Sequence, residues 1–232
     1  MSSKGYIKEV FASIQGEGLF SGARQIFIRF AGCSAGCSYC DTDYEAGETF
    51  DFGGLEVENP ISASELAELV QDRWEMGEFH SVAFTGGEPL EQKEFLFETA
   101  SILRENALLM LETSGFNHEL IPESAELFDM LSIDVKICEE GWDERLPALL
   151  DILNEIPGEL YYLKLIADIN NTDEDFEFAA GLLSGVFCTG MFLQSVDNSL
   201  DFKTIDKIQA IMYKKGAALL YRPQIHKLAG FR

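Results

Sequence analysis

Three cysteines, Cys33, Cys37 and Cys40, directly follow the apolar run Ile26-Phe-Ile-Arg-Phe30. Thiolates bind iron and zinc well, and the C-x3-C-x2-C spacing puts all three on one tight loop. A single tetrahedral ion held by these three alone would lack a ligand. An iron–sulfur cluster with three protein-bound irons and one open iron fits the same arithmetic. A structural zinc site remains the alternative. It needs a fourth protein ligand, and Cys138, His80, His118 and His226 all stand away from knuckle spacing.

Other polar groups lie where ligand chemistry is feasible. Gly86-Gly87-Glu88-Pro89 pairs two glycines, which let backbone approach a ligand, with a glutamate able to accept from an ammonium. An ordinary turn with a solvated glutamate reads equally well. Thr113 and Ser114 offer hydroxyls. Ser132, Asp134 and Lys136 share one face of a strand by period two. They are either ligand groups or a buried ion pair. Gln15 and Glu17 sit on a glycine-flanked turn, and Arg29 interrupts an apolar strand. Arg29 suits either an anionic ligand or a salt bridge. His226 and Lys227 stand near the C-terminus, and Asn198 reads first as a turn former.

The elements that carry these residues alternate. Strands are expected at 6–14, 26–30, 81–85, 108–112, 130–135, 160–166, 191–196 and 217–221. Helices are expected at 64–76 after Ser62 or Ser64, at 92–104, near 123–128, at 144–154, from Asn171 or Thr172 to Leu183, and at 203–214. Pro147 is tolerable only near the first turn of its helix. Residues 43–60 read as a surface loop or small hairpin. Several strands are apolar almost throughout, as in a parallel sheet covered by helices. Polar clusters recur just after strands, so one cleft at the strand ends collects them. The chain is short for eight βα units. The expected fold is α/β, a partial (incomplete) β/α barrel with a cluster-binding loop after an early strand.

Composition narrows the setting. The chain has 232 residues, 47% of them hydrophobic, which suits one domain with a sizeable core. Its net charge is -23, from 40 acidic and 17 basic residues, which disfavours nucleic acid and anionic membranes as partners. Five cysteines, three of them packed together, do not make a secreted disulfide frame. The N-terminus has no apolar signal core, and no stretch approaches a membrane span. A cytoplasmic location is the expectation.

Taken together, the motifs resemble a known family. C-x3-C-x2-C is the signature loop of radical S-adenosylmethionine enzymes. Ser13-Ile-Gln-Gly-Glu-Gly18, the cysteine loop followed by Asp41-Thr42, Thr85-Gly-Gly-Glu-Pro89, Glu112-Thr-Ser-Gly115, Asp134-Val-Lys136 and Gln224-Ile-His-Lys227 resemble the 7-carboxy-7-deazaguanine synthase family. The match runs from near residue 6 to the C-terminus. It implies a [4Fe-4S] cluster on Cys33, Cys37 and Cys40. S-adenosylmethionine would lie against Gly86, Gly87, Glu88, Thr113, Ser114, Ser132, Asp134 and Lys136, and Mg²⁺ on Thr42. It implies a pterin, 6-carboxy-5,6,7,8-tetrahydropterin, read by Gln15, Glu17, Arg29 and His226 and contracted to 7-carboxy-7-deazaguanine with loss of ammonia. It further implies a single domain with a variable insert near 43–60 and a tail returning to the cleft. A homodimer and an external electron donor, such as a flavodoxin or ferredoxin, complete the expectation. Activases of glycyl-radical enzymes share the cysteine loop, but typically not the Ser-Ile-Gln-Gly-Glu-Gly stretch. A non-catalytic cluster or zinc module would lack a cofactor cleft.

Overall fold

The computed structural model describes residues 2–40 and 43–231. In chain order the strands are β1 (Lys4–Gly5), β2 (Ile7–Ile14), β3 (Arg24–Phe30), β4 (Thr49–Phe52), β5 (Leu55–Glu58) and β6 (Ile61–Ser62). They continue with β7 (Ser81–Gly86), β8 (Leu109–Thr113), β9 (Met130–Lys136), β10 (Tyr161–Ala167), β11 (Met191–Ser195) and β12 (Leu220–Tyr221). The α-helices are α1 (Ala63–Arg73), α2 (Lys93–Leu103), α3 (Ile121–Leu127), α4 (Trp142–Leu153), α5 (Asp173–Leu183), α6 (Phe202–Lys214) and α7 (Ile225–Ala229).

One sheet runs β12-β11-β10-β9-β8-β7-β3-β2-β4-β5. From β3 to β12 every neighbouring pair is parallel, and α1 to α6 are the crossovers. β2 returns antiparallel on β3. The β4–β5 hairpin extends that edge, so the 43–60 stretch is partly sheet. The edges β12 and β5 do not pair with each other, which leaves the barrel incomplete.

Period two divides each central strand between two environments. Ile26, Ile28 and Phe30 of β3, Leu131, Ile133 and Val135 of β9, and Leu163 and Leu165 of β10 enter the main core under the helices. Each such side chain contributes about 1.5–3 kcal/mol on burial. The alternate residues face inward. Phe11, Phe27 and Ala83 form one small inner cluster, and Met110, Tyr162 and Phe192 another. Most of the remaining inward positions are polar, among them Gln25, Arg29, Glu112, Ser132, Asp134, Lys136, Lys164 and Gln194, with Ile166 an apolar exception at the cleft.

Helix starts follow local chemistry. Ser62 caps α1 by accepting from Glu65 N–H, and Thr172 with Asp175 forms a reciprocal capping box on α5. Three expectations need correction. Pro147 lies inside α4, beyond its first turn. Its buried neighbours Leu146, Leu149 and Leu153 hold the helix against the core despite the lost backbone donor. The last strand is only Leu220–Tyr221, because Ala217 and Leu219 pack into the core without a ladder. The tail carries a short helix, α7, that was not expected.

Candidate active site

The C-terminal ends of the parallel strands surround a cleft of about 560 Å³. Cys33, Cys37 and Cys40 line one wall. Gln15, Glu17, Asp134, Lys136 and Lys164 make a second, charged wall, whose Lys136 reaches to the cysteine loop, its Nζ 5.7 Å from the Tyr39 ring centroid, and Gln224, His226 and Lys227 also line the cleft.

The cysteine wall is built by close backbone packing. Gly87 N–H donates to Phe30 O (3.0 Å) and Glu88 N–H to Gly32 O (2.9 Å). A Cβ on Gly87 would lie 1.8 Å from the Gly32 carbonyl oxygen, so only glycine lets this turn press on the cysteine loop. Glu88 is 1% exposed. Its carboxylate accepts from Leu90 N–H, Thr113 Oγ1, and both the N–H and hydroxyl of Ser114. Burial nonetheless pushes the Glu88 carboxyl upward, against those hydrogen bonds. Glu88 thus fastens the turn after β7 to the turn after β8. Burial likewise pushes the Cys33 and Cys37 thiols up.

The charged wall is a set of paired side chains. Lys164 Nζ lies 2.9 Å from Glu17 Oε2 and 3.1 Å from Asp134 Oδ1. Lys136 Nζ donates to Asp134 Oδ2 at 2.7 Å. Register explains the meeting, since Lys164 on β10 stands directly beside Asp134 on β9. Two acids and two bases neutralise one another where unpaired charge would be costly. Burial alone would raise the Glu17 carboxyl. The Lys164 ammonium and hydrogen bonds from Gln224, Lys164 and Gln194 outweigh it and bring it down to about 2. Asp134 is also lowered: Lys136 and Lys164 overcome its desolvation. Lys164 itself is held well above the ordinary lysine range, as Asp134 and Glu17 overcome its burial. Glu17 is therefore ionised, an acceptor only.

Gln15 is fixed from three directions. Its Nε2 donates to Gln25 Oε1 and to Glu112 Oε1, both at 2.9 Å, and its Oε1 accepts from Glu17 N–H at 3.0 Å. Gln25 in turn donates to Ser81 Oγ at 2.7 Å, and Thr85 Oγ1 to Glu112 Oε2 at 2.9 Å. The tail docks on this turn. Ile225 N–H donates to Gly16 O (3.0 Å), and Gln224 Nε2 to Glu17 Oε1 (2.7 Å). A Cβ on Gly16 would fall 1.9 Å from His226 Nδ1. Arg29 stands on the wall with its Nε donating to Glu9 Oε1 at 2.7 Å, and Glu9 is its cross-strand partner.

Of the residues singled out from the sequence, Gln15, Glu17, Arg29, His226, Gly86, Gly87, Thr113, Ser114, Asp134, Lys136, Cys33, Cys37 and Cys40 converge on this cleft. Two do not. Glu88 is turned into the wall by the four donors above. Ser132 is fully buried below the cleft floor, two positions deeper than Asp134 on the same face. Thr42 lies outside the described residues. Sequence reasoning missed Lys164, Glu112, Gln25 and Gln194. Their signal was a polar side chain at an inward position of an otherwise apolar strand, the same pattern that exposed Asp134.

The cysteines suit a cluster better than a single ion. None of the three is in a disulfide, and all three line one cleft. Among the described residues, no group of three or more His, Cys, Asp or Glu is arranged to hold one metal ion. A closed zinc site would need such a group. A cubane does not, because each thiolate reaches a different iron.

Comparison with known proteins agrees. A model of the Radical SAM superfamily matches residues 27–175. A 7-carboxy-7-deazaguanine synthase of Geobacter sulfurreducens is 30% identical, covering 97% of this chain and 96% of its own length. That of Archaeoglobus fulgidus is 33% identical, covering 97% of each chain. That of Methanothermobacter thermautotrophicus reaches 41% over 66% of this chain and 58% of its own. The crystal structure of QueE from Escherichia coli superposes with a TM-score of 0.61 at 20% identity, covering 94% of this chain and 93% of that one. At that identity the likeness is one of fold.

Proposed function

The chain belongs to the radical SAM superfamily and within it to the 7-carboxy-7-deazaguanine synthases, and from that premise we propose how its cleft serves the reaction. The enzyme is a carbon–nitrogen lyase that makes 7-carboxy-7-deazaguanine for queuosine-type 7-deazapurine synthesis. Its substrate is of pterin type, and our specific assignment is 6-carboxy-5,6,7,8-tetrahydropterin. The observation that carries this reading is one cleft lined both by the three cysteines and by Glu17, whose carboxylate is held by Lys164 at 2.9 Å and by Gln224 at 2.7 Å.

When bound, a [4Fe-4S] cluster and S-adenosylmethionine supply the one-electron chemistry that removes a substrate hydrogen atom. Cys33, Cys37 and Cys40 would hold the cluster. The backbone of Gly86 and Gly87 and the hydroxyls of Thr113 and Ser114 would hold the nucleoside cofactor. Asp134 and Lys136 would meet its polar ends, while Glu88 keeps the two turns together. Glu17, locked by Lys164, accepts from the donor edge of the pterin. Gln15 fixes the backbone of that turn, so the ring is placed before reaction and not during it. Arg29, steered by Glu9, faces the substrate carboxylate. His226 closes the rim and exchanges protons or hydrogen bonds with the heterocycle. The tail and the pterin together exclude water from the reacting carbon.

Mg²⁺ belongs to the proposal through Thr42. One neutral hydroxyl is a sparse donor set, and that ion completes its shell with water and substrate oxygens. A homodimer and a flavodoxin- or ferredoxin-type donor also belong to it. Among the described residues no helix is long and apolar enough to cross a membrane.

The test is anaerobic incubation of the iron-loaded enzyme with the candidate pterin acid, S-adenosylmethionine, reductant and Mg²⁺. The expected product has contracted by one ring atom and lost ammonia by mass. No product from an enzyme with an intact cluster would overturn the substrate assignment. Omitting Mg²⁺ and adding chelator should slow turnover; an unchanged rate would remove the ion from the proposal.

A further inference from the structure

The cysteine loop alternates in exposure. Cys33, Ala35, Cys37 and Tyr39 are half-buried, while Ser34, Gly36, Ser38 and Cys40 are exposed. Each exposed serine directly follows a cysteine, and each meets a carboxylate from a different element. Ser34 donates from both its N–H and its hydroxyl to Glu91 Oε1, at 2.7 and 2.6 Å. Ser38 donates from the same two groups to Glu139 Oε1, at 3.0 and 3.2 Å. Glu91 lies in the 3-10 turn Pro89–Gln92, and Glu139 follows β9. Neither glutamate lines the cleft.

We propose that Glu91 and Glu139 are positioning residues, a pair of external clamps that hold Cys33 and Cys37 in ligating register before iron arrives. The proposal rests on the reading of the three cysteines as a cluster loop. A carboxylate that takes both donors of one residue fixes that residue's backbone and side chain at once. The serines are pulled outward, so the preceding thiols are left facing the cleft. Nearby contacts anchor the loop's base: Gln92 Nε2 donates to Ala31 O at 2.8 Å, and Glu88 N–H to Gly32 O. Within the loop itself, Cys40 N–H donates to Cys37 O at 3.1 Å. Side-chain clamps therefore supply what secondary structure does not. Ordering the loop beforehand removes an entropic cost that cluster uptake would otherwise bear. The same two charges lie near the thiolates, so they also disfavour an added electron on a bound cluster.

The experiment compares Glu91→Ala, Glu139→Ala, the double alanine variant and Glu91→Gln with the parent. Iron is loaded anaerobically and its release to a ferrous chelator is timed. Limited proteolysis of the iron-free proteins reports the loop itself, and far-UV circular dichroism reports the rest of the fold. Each alanine variant should release iron about tenfold faster, the scale of a lost charge-assisted hydrogen bond, and the double variant faster still. The iron-free alanine variants should be cut sooner within 33–40, with an unchanged dichroism spectrum. Glu91→Gln keeps the acceptor oxygen and should release iron near the parental rate, while the cluster's midpoint potential rises. Ser34→Ala, which keeps the N–H, should fall between parent and Glu91→Ala. Iron release and loop cleavage at parental rates in the double alanine variant would overturn the proposal, as would equal release by Glu91→Gln and Glu91→Ala. A parent that takes up no iron overturns the cluster reading and the clamps with it.

Discussion

The two walls of the cleft are held by different means. On the cysteine side, outward serines lean on exposed or half-buried glutamates, and much of the fixing is by backbone contact with the Gly86–Gly87 turn. On the charged side, Glu17, Asp134, Lys136 and Lys164 form a largely buried set in which every charge has an opposite partner. On the proposed function, the first wall would admit an inorganic guest with its fastenings outside, and the second would present a fixed pattern to an organic ring with its fastenings inside, where low dielectric strengthens them.

The comparison breaks most completely at the cysteines. Cys37→Ser should abolish cluster uptake and product formation together while leaving the charged wall intact, measured by iron content and assay. Retained activity without iron would separate the two walls functionally. Next is Lys164→Met, which leaves Glu17 without its main counter-charge. Breaking a buried pair costs about 3–5 kcal/mol, and thermal unfolding should show it. The sign of its pH effect is fixed. Glu17 is lowered from 4.5 to about 2, so its stabilisation is fully present above pH 4.5 and is lost as pH falls through about 2. Without Lys164 the carboxyl rises, and an acid limb should enter the kcat/KM profile at higher pH than in the parent; Lys164→Arg should restore part of the parental profile.

Gly87→Ala tests the interlocking of the cysteine wall. Its Cβ must displace the Gly32 carbonyl, at a cost of about 1–3 kcal/mol. Cofactor affinity should suffer more than global stability, as read by S-adenosylmethionine binding against thermal midpoint. The smallest effect calibrates the others. Lys207→Ala removes an exposed ion pair to Asp173, far from both walls, and should change stability by less than about 1 kcal/mol with activity unaltered.

Much of this was legible in the sequence. The α/β alternation, the cysteine loop, the Thr172 cap and the convergence of polar clusters after strands all follow from local pattern, because parallel strands point their ends one way. Lys164 was missed, although its charge interrupts an otherwise apolar strand. It lies within Leu160–Ile166, and only the register with Asp134 reveals its partner. Glu88 illustrates the opposite case. The motif singled it out as a cofactor residue, but burial and four donors turn it into the wall. Arg29 offered two readings, and the geometry joins them: its Nε is paired with Glu9 while the residue still faces the cleft. The Gln15–Gln25–Ser81 chain was invisible, since side-chain relays across strands leave no periodic trace.

The hydrogen bond from Gln224 to Glu17 spans 207 positions of chain, and that from Lys164 to Glu17 spans 147. Contacts of such separation reward the chain only after long loops have closed, so they form late and slowly. Helices and neighbouring strands assemble from local encounters well before them. Completion of the pocket is therefore expected to follow that of the local elements, an order that hydrogen exchange during refolding would show.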